Sequence, residues 1–320
     1  NYLPPDNIQL FPEMRTAHRT SPTNIGLYLV CAVIARKFGF INSHELCARL
    51  ENSLFTLEKM QKFKGHLYNW YDTKTLGVLE PVYVSSVDSG NFLACLITAS
   101  NGAAEYKNEC AELESISERL YALYENTDLE VIYNKKRGLF TLGLSFENGR
   151  AKSGDNCYDL YMSEARTLSY IACAKRGVPP KHWKRLSRMP VKFYGHTGLV
   201  SWSGTAFEYF MPTLFLPYMH CTLEYEALRL AYDAQKSRSA ETDFGKIFGI
   251  SESAYFAFDF QMNYAYRAFG VPVLGLGRGL EKDLVISPYS AFLMMSVNLS
   301  GSLKNLAVMK KYGLYGRYGF

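Results

Sequence analysis

Residues 65–91 read GHLYNWYDTKTLGVLEPVYVSSVDSGN and join a predicted amphipathic helix to a predicted apolar one. Two turns of small residues bring several rings and carboxylates close together in this stretch: Tyr68, Trp70, Tyr71, Asp72, Tyr83 and Asp88. Such a set suits a sugar-binding cleft, because pyranose C–H faces stack on aromatic rings and ring hydroxyls need charged acceptors in place of water. The alternative is an aromatic connection between helices with solvated aspartates. The stretch alone leaves both interpretations open.

Helical periodicity with recognisable end signals dominates the rest of the chain. After an extended, proline-containing segment over residues 1–20, Ser21 suits an N-cap with Pro22 at the first helical position, which predicts a helix ending near Phe38. A second helix is predicted after a cap at Ser43. The predicted helices beyond the first cover about 44–63, 86–100, 103–126, 156–176, a short segment around Trp183, 205–216, 222–236, 288–297 and 299–311, with a break at Asn101-Gly102.

The sequence indicates little β-structure. A hairpin is predicted from Glu130–Tyr133 and Leu139–Leu144, around a glycine turn, and a hairpin or loop near Tyr194–Gly198. Helices in successive pairs, with polar and aromatic residues at their connections, predict an all-α fold, an α/α toroid of about ten helices with one or two small β-hairpins and a cleft at one end. No shift in composition marks a linker, so we expect residues 1–320 to form a single domain.

Composition excludes several classes of function. The net charge is +5, but the basic residues are scattered rather than gathered on one face, so nucleic acid is not an expected partner. The sequence contains no zinc pattern, P-loop or dinucleotide fingerprint, and Gly275–Gly279 is interpreted as a turn, so neither a metal nor a cofactor is expected. The seven cysteines form no C-x-x-C motif and indicate free, mostly buried thiols in a reducing compartment.

No apolar run reaches the roughly 18 residues of a membrane span, and no signal peptide is visible. The chain begins at Asn1 without a methionine and ends abruptly at Tyr318-Gly319-Phe320. We therefore expect it to be a domain of a longer protein.

Three glutamates stand in apolar and aromatic surroundings: Glu164 in YDLYMSEAR, Glu208 in WSGTAFEY and Glu252 in GISESAY. Such surroundings raise the pKa of a carboxyl group, as a glycosidase general acid requires. Each glutamate also has a structural interpretation. Glu164 could form an ion pair with Arg166 or a lysine, Glu208 could be a buried hydrogen-bond hub that holds the Trp202 loop, and Glu252 could favour a helix start. The residues alone leave these alternatives open.

Seven blocks of the sequence, taken in order, match a known family. They are HRTSPTNIGLYL (18–29), GHLYNWYDTKTL (65–76), YVSSVDSGN (83–91), YDLYMSEAR (158–166), LVSWSGTAFEYFMP (199–212), GISESAY (249–255) and GRYGF (316–320). Together they resemble the glycoamylase-like middle domain of cyclic β-1,2-glucan synthases, which is related to endo-β-1,2-glucanases. The resemblance runs from about residue 4 to the end, and it departs from the family in a shorter segment over residues 101–128.

The resemblance implies an (α/α)6 toroid and an anomer-retaining transglycosylase that converts linear β-1,2-glucan into cyclic β-1,2-glucan. It implies that Glu252 is the nucleophile and Glu164 the acid/base, acting directly or through a substrate hydroxyl. It also implies a set of substrate-binding residues: Arg19, Tyr68, Trp70, Asp72, Asp88, Trp202, Glu208 and Tyr255.

Two other functions are compatible with the same residues. One is a hydrolase of the same glucan, an endo-β-1,2-glucanase, and the other is an inactive glucan-binding domain. A carboxylate spacing of about 5–5.5 Å indicates retention, whereas about 6.5–9.5 Å leaves room for a water. The expected context is a larger, membrane-associated synthase, with this domain on the cytoplasmic side of an inner membrane.

Overall fold

The computed structural model describes residues 1–242, 245–260 and 262–320. The chain divides into two compact units, each made of two separate stretches of sequence. Unit 1 comprises Asn1–Tyr158 and Thr167–Arg185, and unit 2 comprises Asp159–Arg166 and Leu186–Phe320. That residues 1–320 form one domain remains a prediction.

Unit 1 contains most of the predicted N-terminal helices, joined by short strands. In chain order its elements are β1 (Ile8–Gln9), β2 (Arg15–Thr16), β3 (Arg19–Thr20), α1 (Pro22–Lys37), α2 (Ser43–Lys59), β4 (Lys62–Phe63), β5 (His66–Leu67), β6 (Tyr71–Asp72), β7 (Tyr83–Ser85), α3 (Ser86–Ala104), α4 (Glu112–Glu125), β8 (Tyr133–Asn134), β9 (Leu139–Phe140), β10 (Gly143–Glu147), β11 (Arg150–Ser153), α5 (Arg166–Ala174, whose first residue belongs to unit 2) and α6 (Lys181–Arg185).

Helix α1 begins as predicted. Ser21 is its N-cap, accepting from the N–H of Asn24, and Pro22 is its first residue. Helix α2 begins one residue away from the prediction, because Asn42 rather than Ser43 is the cap and forms a capping box with Glu45. It also ends earlier, at Lys59, because the next residues turn into the β4–β5 hairpin.

The predicted helix break at Asn101-Gly102 is wrong, because α3 continues to Ala104. A Cβ on Gly102 would lie 2.4 Å from Cγ1 of Val33, so this glycine permits close packing of α3 against α1. Likewise, Gly26 of α1 faces Cys95, and a Cβ there would lie 2.8 Å from that of Cys95. Tertiary packing here outweighs the low helix propensity of glycine.

Hairpins are more numerous than predicted. Within the described residues of unit 1, antiparallel pairs form between β1 and β2, β3 and β6, β4 and β5, and β8 and β9, and β7 extends the β10–β11 pair. Unit 2 adds the hairpins Pro190–Phe193 with His196–Leu199 and Ser253–Phe258 with Tyr264–Arg267. The predicted helix over 156–176 begins only at Arg166. Most of these strands have two to four residues, too few for the alternation that identifies strands from sequence.

Unit 2 combines hairpins with short helices. Its elements are β12 (Pro190–Phe193), β13 (His196–Leu199), α7 (Ala206–Phe210), α8 (Leu223–Ala240), β14 (Ser253–Phe258), β15 (Tyr264–Arg267), α9 (Pro288–Leu293) and α10 (Leu299–Lys311). Strand β13 packs against α8, where a Cβ on Gly198 would lie 3.1 Å from Cα of Ala227. Ile247, Ala291, Leu306 and Met309 form a buried cluster that joins α9 and α10. Across the described part of the chain, every helix is too short or too polar to cross a bilayer.

Candidate active site

Glu252 lies directly before β14, on a backbone segment that buried amide side chains hold in place. The side chain of Gln235 on α8 accepts from the N–H of Ile250 at 2.6 Å and donates to its carbonyl at 2.8 Å. Asn305 on α10 holds the N–H and carbonyl of Phe248 in the same way, at 3.1 and 2.7 Å. Displacing the segment would leave buried polar groups unpaired, so it is rigidly placed.

Ser251, the residue before Glu252, is held by hydrogen bonds from α7 and α9. Ser251 is fully buried, and its Oγ accepts from the N–H of Phe207 on α7 at 2.9 Å. The hydroxyl of Tyr289 on α9 lies 2.9 Å from the same Oγ and donates to the carbonyl of Glu252 at 2.7 Å. Glu252 therefore precedes a strand rather than a helix, and the helix-start interpretation does not apply.

The carboxylate of Glu252 accepts from two hydroxyl groups. The Tyr266 hydroxyl donates to Oε2 at 2.7 Å, and the Thr205 hydroxyl donates to Oε1 at 3.4 Å. Tyr266 pairs with Ala254 across the β14–β15 hairpin. Since alternate strand residues share a face, Glu252, Ala254 and Tyr266 project to the same side. The hairpin register therefore brings this phenol to the carboxylate.

Burial raises the pKa of Glu252, and the hydrogen bonds from Tyr266 and Thr205 offset part of that rise. Tyr266 is 69% exposed overall, but desolvation around its hydroxyl raises the pKa of the phenol, and the negative charge of Glu252 raises it further. The phenol is thus kept protonated, and it remains a hydrogen-bond donor to the carboxylate.

Glu164 is half-buried in the segment that precedes α5. After burial, the charges of Glu252 and Glu164 both contribute to raising the pKa of Tyr266 and the pKa of Tyr289. Both glutamates belong to unit 2, and the negative charge of each acts on the same two phenols. Unit 2 thus brings together two glutamates that are far apart in sequence.

Arg166, the possible ion-pair partner of Glu164, forms its ion pair with Glu224. The guanidinium of Arg166 is completely buried and lies 3.2 Å from Oε1 of Glu224 on α8. The Tyr161 hydroxyl donates to the other oxygen of Glu224 at 2.8 Å. Arg166 therefore ties the Glu164 segment to α8 through Glu224.

Glu208 is a buried hub for the loop that carries Trp202. Its Oε2 accepts from the Ser201 hydroxyl at 2.7 Å and from the backbone N–H groups of Ser203 and Gly204 at 2.9 and 3.0 Å. Burial raises the pKa of Glu208, the Ser201 hydroxyl partly offsets this, and the charge of Glu252 adds to it. These contacts match the hydrogen-bond hub interpretation of Glu208.

Thr205 connects the hub to Glu252. As the N-cap of α7, its hydroxyl accepts from the N–H of Glu208 at 3.3 Å while donating to Glu252. Trp202 is 63% exposed. Its backbone carbonyl accepts from the N–H groups of Leu276 and Gly277 at 2.9 and 2.7 Å. Residues 275–279 curve past this loop, where Gly275 forms an isolated parallel bridge with Ser201. An exposed ring on an anchored loop is suited to stack on a sugar.

Tyr255 lies on the other face of the hairpin from Glu252, by strand alternation. Its ring contacts the guanidinium of Arg267 at 4.5 Å and the ring of Phe269 at 5.6 Å. Arg267 in turn pairs with Asp283 at 2.9 Å. The structure does not bring Tyr255 to the face that carries the nucleophile candidate, and its substrate contact remains a prediction.

Unit 1 brings together Arg19 and Trp70. The Arg19 guanidinium lies 4.6 Å from the centre of the Trp70 ring and 3.1 Å from Oδ2 of Asp6. A guanidinium stacked on an indole leaves N–H donors at its edge, a combination that also recognises sugar hydroxyls.

Asp88 is linked to the same tryptophan. The Thr23 hydroxyl donates to its Oδ1 at 2.7 Å. With the Asn69 amide oriented so that both its ends are satisfied, its nitrogen donates to Oδ2 of Asp88 at 2.8 Å and its oxygen accepts from Nε1 of Trp70 at 3.1 Å. Burial raises the pKa of Asp88. Arg19, Trp70 and Asp88 thus form one connected cluster.

Asp72 and Tyr68 are placed differently. Asp72 Oδ1 stabilises its own turn, accepting from the N–H of Thr75 at 2.8 Å and from its hydroxyl at 3.2 Å. Tyr68 is 6% exposed and packs edge-on against Tyr71 and Phe146. Neither side chain joins the cluster, and their contacts with substrate remain predictions.

Sequence reasoning missed the groups that position Glu252. Gln235, Thr205, Tyr266 and Tyr289 lie on three helix segments and one strand, and no motif connects them. The only available signal was the alternation of tyrosines in NYAYR (263–267), which places Tyr264 and Tyr266 on one face of a strand.

The second half of the chain matches a known family model. Residues 157–320 match the glycoamylase model, described as "Putative glucoamylase". Over 442 aligned residues the chain is 30% identical to cyclic β-(1,2)-glucan synthase NdvB of Rhizobium meliloti. The alignment covers 100% of this chain but 16% of that protein, so the chain spans about a sixth of its relative's length.

Solved structures share the fold. A structure of a "putative glucoamylase" from Bacteroides caccae has a TM-score of 0.77 and 16% identity, covering 99% of this chain and 80% of that one. An endo-β-1,2-glucanase from Chitinophaga pinensis, in complex with sophorotriose and glucose, has a TM-score of 0.75 and 17% identity, covering 95% and 75%. One from Talaromyces funiculosus, in complex with sophorose, has a TM-score of 0.76 and 13% identity, covering 92% and 67%.

Proposed function

This chain belongs to the glycoamylase family, and on that premise we propose that it is an anomer-retaining transglycosylase that acts on linear β-1,2-glucan and forms cyclic β-1,2-glucan. The observation that carries the proposal is the carboxylate of Glu252, held by hydrogen bonds from Tyr266 and Thr205 in the unit that also contains Glu164. Two carboxyl groups on one site are the minimum that a retaining glycosidase mechanism requires. The similarity to a cyclic β-1,2-glucan synthase and the shared fold with endo-β-1,2-glucanases support the choice of substrate.

In the first step, the carboxylate of Glu252 attacks the anomeric carbon while Glu164 protonates the departing glycosidic oxygen, directly or through a substrate hydroxyl. This breaks the glycosidic bond and forms a glycosyl ester on Glu252. In the second step, Glu164 takes the proton from an acceptor hydroxyl, which attacks the anomeric carbon and releases Glu252. When the acceptor is the 2-hydroxyl at the other end of the same chain, the product is a ring.

The hydrogen bonds around Glu252 favour Oε1 as the attacking atom. Oε2 accepts a 2.7 Å bond from Tyr266, whereas Oε1 has the longer 3.4 Å contact with Thr205. A fixed Oε2 holds the carboxylate plane in one orientation, which reduces the reorganisation needed for attack.

The exposed indole of Trp202 is proposed to stack on a sugar ring, and Glu208 to act mainly by holding the Trp202 loop. The cluster of Arg19, Trp70 and Asp88 is proposed as a further sugar contact within unit 1. An (α/α)6 toroid, built as one domain from residues 1–320, is part of the proposal and is supported by the fold shared with the solved structures.

The proposed context is a larger synthase chain associated with an inner membrane, with this domain on the cytoplasmic side. The small share of the NdvB relative that the chain covers supports it. The second candidate function is an endo-β-1,2-glucanase, because solved structures with the same fold carry that name. A third is a glucan-binding domain without activity, which the presence of both glutamates disfavours.

The test is incubation of the purified protein with linear β-1,2-glucan, followed by mass analysis of the products. A ring lies one water, about 18 Da, below a linear chain of the same length, because ring closure transfers the glycosyl group to a sugar hydroxyl instead of water. Cyclic products would support the proposal, and shorter linear products alone would select the glucanase. Glucan binding without turnover would select the binding domain.

A further inference from the structure

Unit 1 contains a cluster of two thiols and a carboxylate that the proposed reaction does not use. The Sγ atoms of Cys47 and Cys110 and a carboxylate oxygen of Glu112 all lie within 4.8 Å of one another. The Cys110 thiol donates to Oε2 of Glu112 at 3.1 Å. Cys110 is buried, Cys47 is half-buried and Glu112 is exposed, so the cluster lies at the surface and solutes can reach it.

Packing holds the elements that carry this cluster. Cys47 lies in the second turn of α2, and Cys110 and Glu112 lie at the entry to α4. Arg119 of α4 pairs with Glu51 of α2 at 2.7 Å and with Glu58 at 2.9 Å. These ion pairs keep α2 and α4 together, so the ligand atoms are arranged before any ion binds.

The connection between α3 and α4 is held at the same place. Glu109, next to Cys110, accepts from the guanidinium of Arg36 at 2.6 Å and from the hydroxyl of Ser43. The backbone around Cys110 is therefore tied to the end of α1 and the start of α2, which limits how far its thiol can move.

We propose that Cys47, Cys110 and Glu112 bind one divalent cation of the zinc class. Zinc–sulfur bonds of about 2.3 Å and zinc–oxygen bonds of about 2.0–2.2 Å place tetrahedral ligands roughly 3.4–3.8 Å apart. The cluster therefore needs only small side-chain movements to reach this geometry. Thiolates select zinc over magnesium and calcium, which prefer oxygen ligands alone.

His44 completes the ligand set. It lies three residues before Cys47 on α2, hence on the same helical face, and its exposed side chain can turn toward the cluster. The Cys110 thiol donates its proton to Glu112, and a cation that displaces the thiol protons would neutralise the negative charges of the resulting thiolates and the carboxylate. The expectation of no metal rested on contiguous motifs, and these ligands come from two separate helical segments.

Binding should close the α3–α4 connection onto α2, so the ion is structural and independent of the glucan reaction. The test uses reduced protein, with zinc binding measured by titration calorimetry and cobalt(II) as a spectroscopic probe. Wild-type protein should bind one equivalent, show a thiolate-to-cobalt charge-transfer band and melt at a higher temperature with zinc. Cys47→Ser and Cys110→Ser should each weaken binding by at least about 100-fold, since loss of an outer-shell partner alone costs 10–100-fold.

Cys221→Ser removes an exposed thiol of unit 2 and should retain the affinity, the charge-transfer band and the thermal shift. Glu112→Gln replaces an exposed residue and should fold normally while weakening zinc binding. Absence of binding by the reduced wild type, or equal binding by the Cys47→Ser and Cys110→Ser variants, would overturn the proposal. A Cys47–Cys110 disulfide in unreduced protein, together with no zinc binding by the reduced protein, would also overturn it.

Discussion

The Tyr266 hydroxyl donates a 2.7 Å hydrogen bond to Oε2 of Glu252. The negative charge of Glu252 raises the pKa of this phenol, after the larger effect of burial, so Tyr266 stays protonated under ordinary assay conditions. The bond has two consequences for a nucleophile: it fixes the orientation of the carboxylate, and it stabilises the charge that returns to Glu252 when the glycosyl ester is cleaved.

Tyr266→Phe should therefore lower kcat by about 10- to 150-fold, corresponding to about 1.5–3 kcal/mol for a hydrogen bond to a charged group. The loss should appear in kcat more than in KM, because the bond acts on the reacting carboxylate. Removing a donor to Glu252 also raises its pKa further, so the acidic limb of the kcat/KM profile should move to higher pH. Tyr264→Phe, on the same strand, is the matched control, and equal kinetics of the two variants would refute this role.

Burial raises the pKa of Glu252 in the folded state above that in the unfolded chain. Between these two pKa values the folded protein holds a proton that the unfolded chain releases, so stability falls as pH rises through this window and stays lower above it. Glu252→Gln removes the buried charge. Its melting temperature should exceed that of the wild type at neutral pH, and the difference should vanish below the ordinary carboxyl pKa. Glu147→Gln, at an exposed position, should show no such pattern.

Thr205 both caps α7 and donates to Oε1 of Glu252. Thr205→Val keeps the shape of the side chain but removes both hydrogen bonds, and it should cost about 1 kcal/mol of stability as a lost N-cap, with reduced kcat. Thr205→Ser should restore most of both properties. Denaturant unfolding measures the stability of the two variants, and steady-state kinetics measures their kcat. Similar losses in Ser and Val variants would mean that the methyl group, not the hydroxyl, matters.

Glu208 holds the Trp202 loop through three donors to one oxygen. Glu208→Gln retains a carbonyl acceptor and should keep substantial activity, whereas Glu208→Ala leaves buried donors unpaired, at about 1–3 kcal/mol for each. The alanine variant should also change the tryptophan fluorescence and raise KM. Inactivity of Glu208→Gln comparable to that of Glu252→Gln would instead place Glu208 among the proton-transfer groups.

Local signals in the sequence predicted much of the helical structure. Ser21 and Pro22 identified the start of α1, because capping is a local property, and the helix predicted over 222–236 corresponds to α8, which continues to Ala240. The helix break predicted at Gly102 was wrong because this glycine allows Val33 of α1 to pack closely against α3. That tertiary contact cannot be identified from the local sequence.

In the candidate site, too, local signals could be predicted from the sequence and tertiary contacts could not. Glu164 and Glu252 could be selected by their apolar surroundings and by family resemblance. Tyr266 could not, because its link to Glu252 depends on the register of a hairpin, and Gln235 could not, because its partner is a backbone group on a distant segment. Tyr255 lies in the same block as Glu252, but strand alternation places it on the other face of the hairpin.

The most direct test of Glu252 as nucleophile is to trap the glycosyl ester. A β-1,2-linked glucosyl donor with a fluoride leaving group needs no acid, so Glu164→Gln protein should be glycosylated and then turn over slowly, because the base for the second step is missing. Quenching in acid and mapping peptides by mass should find the added glucosyl units on Glu252, and Glu164→Gln/Glu252→Gln protein should remain unlabelled. A label on another residue, or a product of inverted configuration without any label, would contradict the account.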